Sequence, residues 1–592
     1  MVRLDPDERE ISSPNATPLS VAFAGRLDNR NELVRQLDLT DLEGLDDKVL
    51  LSKGYHRWGR RLPEYLEGEF CILVWDPNAR CLFGARDPLG AKSFNYFCRA
   101  GCFLGASHLD TLLASPAVPI RLNHAQLALS AIPLADRLMG GDATLYGRIH
   151  SLSGGTAFCF DAKGLVCWTY WKPNPQACLS IADAEVPEAL RELLFAAVAN
   201  RLPSHGESGA LLSGGLDSSA IVAVAASLLK KQNRTLTTFS AVLPDSLRGE
   251  INDEREFIRL FSNHDNIRFV DIADNFRGPF DNVAALTRDS RSPFHTSRHY
   301  LYAAFVDAAK QQNVSMLLDG CFGELGPSSN GQGFFPELAL RGRWLALARA
   351  LQQRAEVSQV SLWQVGKSEL LRPLLPAWMM KMIGRGFRFD LEQSAQHSPL
   401  RASYVAKYLE GNATEILGRV SHELLPRSNH RQAQARQLEF ARSRRGDGSA
   451  FGADRHLVSF QFPFLDKRVV EFCLAAPGHL KIHRGYPRSL VRNALDGLLP
   501  PAIQWRTSKE PFSPDFHVRY NRQRPQIVEW LRGIRNNDPV QEIVDVERLL
   551  RMAGTDMLGN RGTSPNDFIA MHMVPRGVYL IQFLRQFPDF SN

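Results

Sequence analysis

Residues 210–219 read Ala-Leu-Leu-Ser-Gly-Gly-Leu-Asp-Ser-Ser, and no other stretch constrains the fold as strongly. Ala210, Leu211 and Leu212 form a short apolar run, and Ser213, Gly214 and Gly215 turn the chain. From Ser218 to Lys231 the sequence reads as a buried helix. The pattern is therefore strand, tight loop, helix. The first backbone N–H groups of such a helix lack intrahelical partners and lie at the positive end of its dipole, so a phosphate is favoured there. Glycines allow the backbone to close on phosphate oxygens without an intervening Cβ. Gly-Gly alone fits any strand-to-helix turn. The full string is more specific, and it is not the common mononucleotide loop, because no Gly-Lys-Ser/Thr ending follows.

The chain has 592 residues and 44% apolar content, enough for large cores and for several domains. Its nine cysteines contain no Cys-x-x-Cys pair, so they read as small buried apolar side chains in a reducing cytosol. The first ten residues hold no apolar core of a signal peptide, and no run of about eighteen apolar residues occurs. A cytoplasmic chain without a membrane span is the expectation. A net charge of +7 is modest for this length and gives no reason to expect nucleic acid as a partner.

Two textures divide the chain. Phe70–Trp75, Cys81–Phe83 and Cys102–Leu104 are short apolar runs between turn sequences, and 157–160 with 165–168 reads as a hairpin across Asp161-Ala-Lys-Gly164. Trp171-Lys-Pro-Asn-Pro175 has linker composition. Beyond it, helices alternate with buried strands at Thr237–Leu243 and Val314–Leu318, which predicts a parallel sheet. These boundaries give domains of 1–175 and 180–592. Residues 331–450 are helical in pattern and carry 18 Lys/Arg against 10 Asp/Glu. Two readings fit that segment: a solvated helical face, or a docking surface for an acidic or extended partner, with Arg442, Arg444 and Arg445 at its end.

The Ser213–Ser219 string resembles the pyrophosphate loop of the ATP pyrophosphatases. The resemblance implies that Ser213, Gly214, Gly215, Leu216, Asp217, Ser218 and Ser219 hold ATP, with Asp217 as a magnesium ligand. Further motifs resemble the glutamine-dependent asparagine synthetases. These are Phe23-Ala-Gly-Arg-Leu-Asp-Asn-Arg-Asn-Glu-Leu33, Leu66-Glu-Gly-Glu-Phe70 with Trp75-Asp76, and Ala85-Arg-Asp-Pro-Leu-Gly-Ala-Lys92. They imply an α/β chain: an N-terminal amidotransferase-like sandwich, then a parallel-sheet ATP pyrophosphatase domain with a helical extension. That family's glutaminase uses a cysteine at position 2. Here position 2 is Val2 and the first cysteine is Cys71, so the sandwich reads as a fold that has lost its chemistry.

In the second half, Asp319-Gly-Cys-Phe-Gly-Glu324 stands where the family has Ser-Gly-Glu-Gly-x-Asp. The resemblance places Gly320 at the nucleotide and makes Glu324 the second magnesium carboxylate; a plain surface loop is the alternative. Pro463-Phe-Leu-Asp466 matches directly. Trp505-Arg506 and Lys509-Glu-Pro-Phe512 resemble Trp-Arg-x-Lys-x-x-Phe with one residue inserted, which implies Lys509 as the cation at the reacting acyl phosphate and Arg506 as its support. The family's Glu-x-Arg before Pro-Phe-Leu-Asp is replaced by Ser459-Phe-Gln-Phe462.

Within the family, three activities share ATP chemistry: asparagine synthetase, β-lactam synthetase and lasso-peptide cyclase. Val2, the lost Glu-x-Arg and the basic 331–450 segment resemble the lasso cyclases most. That resemblance implies a precursor peptide as substrate, ATP and magnesium (Mg2+) as cofactors, and a leader-binding protein and leader peptidase as partners. A non-catalytic scaffold in a peptide-modifying complex remains the reading from another class.

Overall fold

The computed structural model describes residues 19–39, 45–132, 142–247, 249–273, 277–293, 296–375, 398–409, 429–444, 458–508, 511–557, 567 and 569–587. Apolar alternation builds the first unit. Strands β1 (Ser20–Leu27), β2 (Gly68–Asp76), β3 (Cys81–Arg86), β4 (Asn95–Arg99), β5 (Cys102–Ala106), β6 (Ile149–Ser151), β7 (Thr156–Asp161) and β8 (Gly164–Thr169) form two antiparallel sheets, in the orders β1-β2-β3-β7-β8 and β5-β4-β6. Cys71, Tyr96 and Phe158 meet between the sheets. The outer face of the larger sheet is covered by α1 (Asp47–Trp58), whose Leu50, Leu51 and Tyr55 pack on Phe70, Ile72 and Phe83. This is the sandwich that the motifs imply.

One cysteine expectation is corrected. Register places Phe83 opposite Cys159, so Cys81 and Cys159 are diagonal neighbours on one face. Their Cα atoms lie 6.3 Å apart and the sulfurs are joined as a disulfide. The other seven cysteines are free thiols.

The second unit is a five-stranded parallel sheet of β9 (Ser208–Leu211), β10 (Leu236–Ala241), β11 (Ile267–Ile272), β12 (Met316–Leu318) and β13 (Ser459–Gln461), in the order β11-β10-β9-β12-β13. Both faces are covered, as parallel strands require. Ala210, Leu236 and Leu318 face α2 (Val186–Ala199) and α3 (Leu216–Lys231), while Leu211, Phe239 and Leu317 face α4 (His299–Gln311). The strand order reverses between β9 and β12. Ligands of open α/β sheets bind at the carboxyl ends of the strands at such a point, and both the Ser213–Ser219 loop and the Asp319–Glu324 turn emerge there. The described parts of 331–450 include α5 (Phe334–Leu340), α6 (Trp344–Ser358) and α7 (His430–Arg444).

The two units share buried charge. Arg201 donates to Glu69 at 2.9 Å and lies 3.6 Å from Asp466; Arg468 lies 3.4 Å from Glu67. Burial pushes the Glu69 carboxyl up, but the Arg201 and Arg26 guanidiniums more than offset it and hold it below its ordinary value. Arg442 belongs to this seam too. It is 7% exposed and bonds Glu439 and the Gly154 carbonyl, so it is not part of a docking surface. The Arg444 side chain and Arg445 lie outside the described residues. Among the described residues no helix is long and apolar enough to cross a membrane.

Candidate functional site

The chain leaves β9 where the Leu212 N–H makes a last bond to the Phe239 carbonyl, at 3.0 Å. Gly214 then takes φ +68°, a conformation that favours glycine, and Gly215 caps the helix start. The loop is tied to itself. Ser218 Oγ accepts from the Ser213 N–H at 3.1 Å, lies 2.9 Å from Ser213 Oγ and reaches the Gly215 carbonyl at 3.2 Å. Leu216, Asp217, Ser218 and Ser219 form the first turn of α3. Ser219 is fully buried, and its Oγ has no hydrogen-bond partner among the described residues.

The Asp319–Glu324 turn presses directly on this loop. A Cβ added at Gly320 would stand 2.6 Å from the Asp217 carbonyl carbon and the Ser218 nitrogen, and one at Gly323 would stand 2.6 Å from Asp217 Oδ1. Gly320 is thus a close-packing glycine beneath the helix start. Phe322 sits between the two with φ +72°, an outlier for a bulky side chain. It stacks edge-on against Phe462, with ring centroids 5.1 Å apart.

Asp217 is the convergence point. Ser328 Oγ donates to Oδ1, and Arg488 Nη1 lies 3.4 Å from Oδ2. Glu324 is exposed on the same turn. Burial first, then the charges of Asp319, Glu324 and Asp217, push the Cys321 thiol well above its usual value. No set of three or more His, Cys, Asp or Glu side chains is arranged as a metal cage among the described residues. Asp217 and Glu324 are hard oxygen donors of the kind magnesium takes.

Two compartments flank the loop. On the Ser213 side an apolar cleft of about 40 Å³ is walled by Phe239, Leu243, Ile272, Phe305 and Phe512. On the Gly215 side lies a cavity of about 750 Å³ with Arg354, Arg488, Arg492 and Arg506 in its wall. Arg506 separates them. Its Nη2 donates to Glu254 at 2.7 Å and its guanidinium stacks 3.6 Å over the Phe257 ring. The expected support for Lys509 is therefore a clamp across the loop, bonded to Glu254. Lys509, Glu510 and Val2 lie outside the described residues.

Arg488, Arg492, Arg354, Ser328 and Glu254 were not legible as site residues. Arg488 and Arg492 are four apart on one short helix start, a spacing that gains meaning only once that helix is placed beside the loop. The replacement at 459–462 also has a structural counterpart. Gln461 accepts from Arg26 at 2.8 Å across the two units. Phe460 packs on Tyr302, which also meets Phe512, so this edge of the site is aromatic.

The family model described as asparagine synthase matches residues 189–571, more than half of the chain. The chain belongs to the asparagine synthase family. A glutamine amidotransferase domain model matches residues 11–171. Glutamine-hydrolysing asparagine synthetase 3 of Bacillus subtilis is 24% identical over 561 residues, covering 91% of this chain and 82% of its own length. Asparagine synthetase 1 of the same organism is 24% identical over 553 residues, covering 90% and 81%. The amidase chry2 of Gibberella zeae is 28% identical over 210 residues, covering 35% and 30%. Membership in the asparagine synthase family makes this chain kin to ATP-dependent amide-forming ligases.

Proposed function

We propose that this chain activates a carboxylate with ATP and joins it to an amine, and that the carboxylate is an Asp or Glu side chain of a precursor peptide whose own N-terminal amine is the acceptor. The observation that carries the activation step is the closed Ser213–Ser219 loop at the sheet's switch point, with Asp217 and Arg488 at its rim. A carboxylate oxygen attacks the α-phosphorus, the α–β bridging bond breaks, and pyrophosphate leaves with the electron pair. The amine nitrogen then attacks the acyl carbon, AMP leaves with the carbon–oxygen pair, and the ammonium proton passes to solvent. Holding amine and mixed anhydride in one molecule removes the entropy of encounter.

The loop N–H groups hold the phosphates through the reaction. Asp217 and Glu324 would hold magnesium, which neutralises phosphate charge. Lys509 is assigned to the acyl phosphate. Glutamine is not the nitrogen source in this reading: Cys71, the first cysteine of the chain, is buried and its thiol is pushed up to about 12 by burial. The aromatic edge of Phe322, Phe460, Phe462 and Tyr302 supports a peptide over free aspartate, because Gln461 faces Arg26 and supplies no ion pair to a free amino acid. A leader-binding protein and a leader peptidase would act beforehand to free the amine.

An asparagine synthetase activity is the second reading, supported by the two Bacillus subtilis relatives. ATP–pyrophosphate exchange separates the two. Exchange with a precursor peptide and not with free aspartate supports cyclisation. Exchange with aspartate alone refutes it, and no exchange with any acid supports the scaffold.

A further inference from the structure

The cavity of about 750 Å³ on the Gly215 side of the loop meets the activation site at Gly215, Leu216, Arg488 and Arg506, and the rest of its wall has no role assigned above. It shares no wall residue with the Phe512 cleft. Its size is that of a small-molecule site, about 300–1,000 Å³. Its lining holds four arginines, Arg354, Arg488, Arg492 and Arg506, and one carboxylate, Glu369, 3.0 Å from Arg354; Arg488 and Arg506 reach outside the lining to Asp217 and Glu254.

Arg492 is the most telling of the four. It is 3% exposed, and its guanidinium bonds the carbonyls of Pro487, Gln504 and Arg506. Burial first, and the neighbouring Arg488 second, pull its pKa down to about 10, against the opposing pull of Asp217. The far wall comes from the helical extension, where Arg354 of α6 stands with Ser358 and Ser368. The near wall is Gly215 and Leu216 of the loop itself.

We propose that this chamber is the outlet for inorganic pyrophosphate. Once the α–β bond is broken, the diphosphate passes from the loop into the arginine-lined space and leaves past Arg354. The inference rests on the adenylation reading. A folded peptide lying over the aromatic edge would obstruct departure on that side. A rear exit lets pyrophosphate go while the activated peptide stays seated. The helical extension then has a second use, as the cationic wall of the exit.

The test is calorimetric titration of the full chain with inorganic pyrophosphate, needing neither peptide nor turnover. Arg354→Ala removes a wall cation, and Ser368→Glu adds a negative charge from a side chain whose hydroxyl bonds the Gln364 and Val365 carbonyls of its own helix. Wild-type protein is expected to bind pyrophosphate, with about a tenfold loss of affinity in each variant. Melting temperatures confirm that both are folded, and Ser368→Glu stands alone if Arg354→Ala is not. Equal affinity in all three proteins, or no binding to the wild type, overturns the chamber. Binding that weakens in the variants, in a protein with no exchange activity, keeps the chamber as an anion site and overturns the adenylation reading instead.

Discussion

Gly320→Ala is the smallest change that should disable the nucleotide loop. Gly320 has no positive φ to protect, so alanine meets no backbone strain there. The difficulty is steric. The new methyl would stand 2.6 Å from the Asp217 carbonyl carbon and the Ser218 nitrogen, and 2.8 Å from the Asp217 oxygen. All three are backbone atoms of a helix packed on the central sheet, so none yields as a side-chain tip would. Ordinary contact requires the two segments to part by roughly 1 Å, a displacement that near reacting groups costs up to about a hundredfold in rate. Overpacking of this kind also destabilises by about 1–3 kcal/mol. The assay is ATP binding by calorimetry, with thermal melting in parallel. Gly147→Ala is the control, since its methyl would meet nothing closer than 3.9 Å. A tenfold or greater loss of ATP affinity is expected for Gly320→Ala and none for the control. Wild-type ATP affinity in Gly320→Ala would show that the helix start does not hold the phosphates.

Other outcomes follow from single contacts. Asp217→Asn keeps a partner for Ser328 but loses the charge that faces Arg488 and the metal, so ATP–pyrophosphate exchange should fall at least a hundredfold at saturating magnesium; retained exchange removes Asp217 from the metal. Lys481 is fully buried and its pKa is pulled down to about 7, mainly by burial. The folded state then binds fewer protons than the unfolded state between about pH 7 and 10, so stability should climb across that window by an amount on the order of 4 kcal/mol. Lys481→Met should flatten the rise in a melting series against pH, and an unchanged rise would refute the assignment. Glu69 and Asp466 are both held below their ordinary values after burial is outweighed by Arg201 with Arg26, and by Arg468 with Arg201. Their contribution is complete above about pH 4 and lost as pH falls below it; Arg201→Met should therefore remove part of the acid-side stability loss. Glutamine supplied with ATP should release no glutamate, and measurable release would restore an amidotransferase role.

Much of this fold was legible because short apolar runs between turn residues mark strands whichever neighbours they later find. The hairpin of β7 and β8 and the strands at 236–241 and 316–318 fall where the runs predict them. β13 did not read as a strand, because Ser459–Gln461 is three residues long and is defined by pairing with β12 rather than by its own pattern. The Ser213–Ser219 turn was legible as a strand-to-helix junction for the opposite reason: its glycines in a fixed order mark the backbone geometry. Arg488, Ser328 and Glu254 gave no such signal, since each becomes a site residue only through contact with Asp217 or Arg506 from a distant part of the chain. The disulfide escaped for the same reason: Cys81 and Cys159 are 78 residues apart and only strand register brings them together.

The central claim is that a peptide carboxylate attacks the α-phosphorus of ATP. The direct measurement uses a precursor peptide whose side-chain carboxylate carries heavy oxygen, incubated with the full chain, ATP and magnesium. Mass spectrometry should find one heavy oxygen in AMP and a peptide lighter by one water. Unlabelled AMP, or ADP and phosphate in place of AMP and pyrophosphate, would contradict the account.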